Sequence, residues 1–316
     1  MVRWVIHLLS FLIIVRLAMP FSINPFEYDY LEKTNPLSME VASSNESLRS
    51  KIQAAASEFE IAPQNAKIDR VWKKMPGRNG LTINMEKSLE KMEQNGKFDK
   101  KLLVFDQKKP EITLKDLPPA PIYRGHPEKN MVSLLINVAW GTENIPPMLK
   151  VLKQHNVKAN FFIEGKWASQ NRDIVVMIQE EGHLIGNHAY NHPDMRRLSE
   201  QENREQIVQT NDILKAITGE TPIWFAPPSG SYNDTVVRLA SDLNMQTVLW
   251  SVDTIDWRKP TVDVMLNRVS EKLHPGAMIL MHPTDVIRDG LDDLVKDIKG
   301  KNYKIGTVEK LLSEER

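Results

Sequence analysis

The chain of 316 residues contains no cysteine. That absence excludes a disulfide scaffold, a thiol nucleophile and a thiolate-held metal, and it is common in proteins exported from cells without disulfide machinery. An excess of either charge is also missing. The 41 Lys and Arg balance the 41 Asp and Glu, and the basic residues form no dense cluster. No nucleic-acid partner is expected, because its electrostatic footprint is absent. Nor is there a run of about 20 apolar residues to span a bilayer comfortably. The N-terminus instead carries Arg3, then the 12 mostly apolar residues Trp4 to Val15, then Arg16. This suits a signal-peptide core, or a signal anchor with Arg3 on the inner side, because the apolar residues cover every helical face. Residues 1–21 are therefore expected to be an export leader, and any membrane association to run through it.

With 26% charged and 41% hydrophobic residues, the remainder can bury a sizeable core in one large or two ordinary domains. Residues 22–45 hold Pro25 and Pro36 without sustained periodicity and read as a linker. From Leu48 the pattern changes. Leu48, Ile52, Ala55 and Phe59 share a helical face. PQNAKIDRVWKKM predicts a second helix opened by Pro63, LTINM a short strand, MEKSLEKMEQNG a third helix, and KLLVF a further strand. These signals make residues 46–106 a small mixed α/β module, best read as a packing unit, with docking to the cell wall as the alternative. The five prolines of KKPEITLKDLPPAPIYRGHPEKN mark residues 107–130 as a connector.

Residues 131–316 alternate regularly. MVSLLINVAWG is an apolar strand ending at Gly141, and six more strand patterns follow, separated by amphipathic helices such as the one opened by the Ser199/Glu202 capping box and closed at Gly219. Such strands imply a parallel sheet covered by helices, and seven repeats favour closure into a (β/α) barrel. Polar residues recur at the strand C-termini: Asn137, His188, Asp253 and His282. In a barrel these share one mouth, where active sites sit.

His188 and His192 are four residues apart in GNHAYNHPD, a spacing that suits one divalent metal but also suits ordinary loop histidines. His282 closes ILMHP and is a candidate general acid or base. Asp253 ends a strand in WSVDTIDW, where it could orient an imidazole or simply cap the turn.

In their order and spacing GNHAYNHPDM, FAPPSG, WSVDTIDW and ILMHP resemble the second to fifth motifs of the polysaccharide deacetylase family (NodB homology, carbohydrate esterase family 4), over roughly Val132 to Leu312. Together with the module and the exported start, the chain is similar to a sporulation-associated branch of that family. The resemblance implies a distorted (β/α)7 barrel of the NodB type. It also implies metal-dependent hydrolysis of non-peptide C–N bonds in N-acetylated glycans such as peptidoglycan, with zinc or cobalt held by an aspartate and two histidines. Carried over by position, His188 and His192 match the metal ligands, and His282 the acid, with Asp253 as its carboxylate partner. Trp257, Leu280, Pro227 and Pro228 match the substrate pocket.

The first motif does not carry over. The family reads roughly Thr-Phe-Asp-Asp-Gly, whereas this chain has Asn137-Val138-Ala139-Trp140-Gly141. Ala139 takes the base position and Trp140 the metal-aspartate position. The family's Arg-Pro-Pro becomes Ala226-Pro227-Pro228, and that Arg ordinarily pairs with the base aspartate. Their joint loss is coherent, because a buried Arg without its carboxylate costs on the order of 3–5 kcal/mol. The expectation is a catalytically degenerate protein of the cell wall or spore envelope, with weak or absent metal. An active deacetylase using substitute groups, Glu143 among them, is the first alternative. A structural protein led by the N-terminal module is the second.

Overall fold

In the computed structural model of the protein the backbone is described for residues 36–93 and 95–316 and side chains from residue 46 on. The expected leader, and residues 22–35 of the expected linker, lie outside the described residues.

Helix α1 runs Pro36–Phe59 and so begins inside the segment read as linker; a proline in the first helical turn costs little, since its missing N–H would be unpaired there anyway. Leu48, Ile52 and Ala55 are its buried stripe. Helix α2 spans Met85–Glu93 and buries Leu89 and Met92. The chain divides into two compact units, one holding residues up to Ala55 with Met85–Leu103, the other Ala56–Asn84 with Val104–Arg316. Residues 56–84 thus belong with the C-terminal domain, and the boundary expected near residue 106 is not followed.

The predicted helix over PQNAKIDRVWKKM is instead an antiparallel hairpin, β1 (Lys67–Asp69) with β2 (Lys73–Met75). Asp69 decides this locally. Its carboxylate accepts the backbone N–H groups of Val71 and Trp72, each at 2.8 Å, closing a turn that competes with helix. Strands β3 (Gly80–Ile83) and β4 (Phe105–Lys108) form a second antiparallel pair.

The alternating region forms the chain's large sheet. Its elements are β5 (Met131–Val138), α3 (Ile145–Gln154), β6 (Asn160–Ile163), α4 (Gly165–Gln170), α5 (Arg172–Glu180), β7 (Leu184–Asn187), α6 (Glu200–Thr218) and β8 (Trp224–Phe225). There follow α7 (Asp234–Asp242), β9 (Gln246–Thr247), β10 (Val252–Asp253), α8 (Val262–Lys272), β11 (Met278–Met281), α9 (Asp285–Gly300), β12 (Lys304–Ile305) and α10 (Val308–Leu312). The parallel order is β10-β11-β5-β6-β7-β8-β9, a curled sheet of the expected barrel type, with β12 beside the first residues of β5. The stretch read as one fifth strand is two short ones. At this break the connector takes over: Ile122 N–H donates to Thr247 O at 2.9 Å and Ile122 O accepts Leu249 N–H at 2.8 Å. The proline-rich segment is therefore bonded into the sheet rather than lying outside it.

Strand alternation separates two cores. Leu134, Ile136 and Val138 of β5 face outward under the helices, together with Phe161, Ile163, Ile279 and Met281. Leu135, Phe162, Trp224, Val248 and Met278 fill the barrel interior with Ile122 and Leu311. By the same alternation Asn137, Ala139 and Leu280 belong to the interior at the mouth.

Candidate active site

The strand C-termini open into a cleft of about 390 Å³ lined by Asn137, Ala139, Trp140, His188, His192, Ser229, Trp250, Asp253, Trp257, Leu280 and His282. The barrel thus brings together residues up to 145 positions apart, Asn137 to His282.

Behind the cleft stands a fully buried carboxylate, Asp256. Its Oδ1 lies 3.1 Å from His282 Nδ1 and accepts the Thr254 hydroxyl at 2.8 Å. Its Oδ2 accepts the His282 backbone N–H at 3.0 Å and the Thr284 hydroxyl at 2.9 Å. Burial pushes the Asp256 carboxyl up, but the bonds from His282, Thr254 and Thr284 outweigh this and hold it below the usual range. The carboxylate partner of His282 is therefore Asp256 and not Asp253, which corrects the assignment made on sequence. Asp253 lines the cleft, but its Oδ1 accepts the Ile255 N–H at 2.8 Å, the turn-capping alternative. Ile255 is left-handed (φ 52°), and this reversal carries Asp256 back beneath His282. In D-T-I-D either carboxylate fits a strand end, so only the turn chooses between them.

His188 is buried, with Nδ1 2.7 Å from the Ala226 carbonyl. A carbonyl only accepts, so Nδ1 carries the proton and Nε2 keeps its lone pair. Burial, then the neighbouring His192, push its pKa down to about 3. The two rings are edge to face with centroids 5.2 Å apart. His192 is lowered by burial as well. Trp140, at the position where the resemblance implies a metal carboxylate, is 45% exposed and stacked on His282 at 5.3 Å and 28°. Gly141 makes this approach possible, because it is left-handed (φ 73°) and a Cβ there would meet Pro283 O at 2.0 Å.

Two imidazoles with no third ligand grouped with them do not make the three-ligand site that the resemblance implies. Among the described residues no group of three or more His, Asp or Glu could hold a metal ion. Glu143 is exposed and does not line the cleft. Ala226 is buried within the interior core, where Leu135 and Phe162 also lie. Pro227 and Pro228 are buried but do not line the cleft, because the chain turns at Ser229 (φ 54°) and presents that residue instead.

Three features escaped the sequence reading: Asp256, Trp250 at the sheet break, and Glu164. The register pairs Val138 with Ile163 and Ile163 with Asn187, so Glu164 follows β6 between the backbones of Ala139 and His188. It is 8% exposed and burial raises its carboxyl.

The family model for polysaccharide deacetylase matches residues 124–248. The uncharacterized protein YlxY of Bacillus subtilis is 48% identical over 293 residues, covering 93% of this chain and 92% of that protein. A peptidoglycan-N-acetylglucosamine deacetylase of Bacillus cereus is 37% identical over 191 residues, covering 59% of this chain and 70% of the enzyme. The crystal structure of a carbohydrate esterase family 4 pseudoenzyme from Bacillus anthracis is 49% identical, covers 85% of this chain and 96% of its own, and superposes with a TM-score of 0.81. A mutant of it described as having restored enzymatic activity gives 48% identity, 85% and 99% coverage and a TM-score of 0.81. With the curled parallel barrel, the cleft and these relatives in agreement, the chain belongs to the polysaccharide deacetylase family, carbohydrate esterase family 4.

Proposed function

We propose that this protein is a catalytically degenerate deacetylase that binds amino-sugar glycan, peptidoglycan above all, at the cell wall or spore envelope outside the membrane. The observation that carries this is the cleft itself. His282 with its Asp256 support, His188 and His192 are retained and built in, while Ala139 and Trp140 supply neither a base nor a metal carboxylate. Loss of a general base alone lowers rate by about 10²–10⁴, before any loss of metal. The similarity to a pseudoenzyme supports the same reading. A divalent ion would have only His188 and His192 to hold it, so its affinity is expected to be weak. Among the described residues no helix is long and apolar enough to cross a membrane.

The test is acetate release from acetylated chito-oligosaccharides and peptidoglycan with zinc or cobalt added. The wild type should be silent, and the Ala139→Asp, Trp140→Asp double variant should gain activity. Acetate release by the wild type that is lost on His282→Ala would overturn the proposal. One observation favours that second reading: the register of β6 sets the Glu164 backbone between those of Ala139 and His188. Were the wild type active, Glu164→Gln should abolish the activity.

A further inference from the structure

Glycan binding at the cleft leaves open which form of the amino sugar is held. The lining contains one carboxylate, Asp253, and no lysine or arginine. Three indoles face it, from Trp140, Trp250 and Trp257, and two of these are roughly half exposed, at 45% and 49%. The Arg258 guanidinium stacks over the Trp257 ring at 4.8 Å and does not line the cleft. Hydrogen-bond capacity is skewed in the same direction. His188 spends its N–H on Ala226 O and His282 points its Nδ1 at Asp256, which leaves Nε2 of each as a lone-pair acceptor when the ring is neutral. Asn137 is only 4% exposed, and its Oδ1 has no protein partner. Apart from the histidine rings, the donors in the lining, the Ser229 hydroxyl and the side-chain N–H groups of Asn137 and the indoles, are all uncharged.

An acetamide carbonyl seeks a cation or a strong donor, and the lining carries no lysine or arginine and only two of the three metal ligands that the resemblance implies. A primary ammonium seeks acceptors, a carboxylate and π faces, and the cleft offers all three. We infer that the cleft seats a hexosamine residue with a free amino group, with Asp253 as counter-ion and the Trp140 and Trp250 indoles as walls. This rests on the reading of the cleft as a glycan site and narrows it to partly N-deacetylated glycan. The reaction class that would supply the ligand is therefore amide hydrolysis on the same polymer, as carried out by active members of the family. The ammonium need not be fully desolvated, because the Trp140 indole is half exposed, and the cleft volume lies within the range of about 300–1,000 Å³ usual for small-molecule sites.

The full chain should be titrated calorimetrically with a glucosamine tetramer and with an N-acetylglucosamine tetramer, at an ionic strength of about 0.15 M. The free-amine tetramer should bind more tightly by about tenfold, the range set by a cation on aromatic faces. Asp253→Asn, which keeps an oxygen for the Ile255 N–H, and Trp140→Ala should each remove most of that preference while circular dichroism stays unchanged. Equal or tighter binding of the acetylated tetramer overturns the inference and leaves the glycan reading standing. Amine binding that is unchanged in both variants also overturns it, because the site then lies elsewhere. Binding of neither tetramer defeats both readings. In wild type, quenching of tryptophan emission by the amine tetramer gives a readout independent of variant folding, and no quenching counts against the inference.

Discussion

Two of the buried asparagines in the barrel face opposite fates. Asn160 begins β6 at the base and has all its needs met. Its Nδ2 donates to Ser133 Oγ at 2.9 Å and Leu134 O at 2.8 Å, and its Oδ1 accepts the Val308 N–H at 2.8 Å. Asn137, near the end of β5 at the mouth, is almost as buried, yet its Oδ1 is unpaired. The base joins two strands to α10 through a closed polar network. The mouth keeps an orphan acceptor, histidine lone pairs and half-exposed indoles. Asn160 serves stability. Asn137 leaves an unsatisfied group that a structural role alone would not favour, since a buried orphan costs roughly 1–3 kcal/mol.

Three perturbations test that contrast, the largest first. Asn160→Ala should destabilise the protein by about 2–4 kcal/mol, because it breaks three hydrogen bonds and strands their partners. Urea unfolding checks this, and a change under about 0.5 kcal/mol would mean the base network contributes little. Acid should weaken both ends. His183 near the base is held at about 4 and His188 at the mouth at about 3, against an ordinary 6.5, burial being the main cause in each. With the folded value depressed, the unfolded chain binds more protons as pH falls below 6.5, so stability declines with falling pH until each folded value is passed. Each histidine contributes about 1.4 kcal/mol per pH unit across that window. His188→Gln should flatten the stability–pH slope by that amount, and an unchanged slope would show that His188 is not held neutral. Asn137→Leu should be neutral or stabilising by about 1 kcal/mol, because it removes the orphan without breaking a bond. A loss above about 2 kcal/mol, the cost of a disrupted core, would show that Asn137 is structural after all.

Much of the fold was legible because parallel strands and amphipathic helices write their periodicity into sequence. The capping box at Ser199 and Glu202 and the glycine at 219 ended a helix where expected, with Gly219 left-handed at φ 80°. The hairpin at Lys67–Met75 was not legible. Its Asx turn at Asp69 overrode a helix-like pattern of apolar spacings. In the site, His188, His192 and His282 could be found from motifs and do converge on one cleft. The choice of Asp256 over Asp253 could not, since it depends on a left-handed Ile255, an uncommon conformation for a β-branched residue that local sequence does not announce. Trp250 was hidden because its stretch was read as continuous strand, and the sheet breaks there only where Ile122 arrives from the connector.

Sequence by itself determined the family, the barrel class and the presence of Ala139 and Trp140, neither a carboxylate, at the end of the first barrel strand, since these depend on residue identity and order along the chain. Tertiary structure alone decided which carboxylate supports His282, that Trp140 lies against that same histidine, and that no lysine or arginine lines the cleft while an acceptor of Asn137 stays unpaired. Those properties arise where strand ends far apart in the chain meet. Their burial, tautomers and hydrogen-bond partners are set by neighbours that no local stretch of sequence contains.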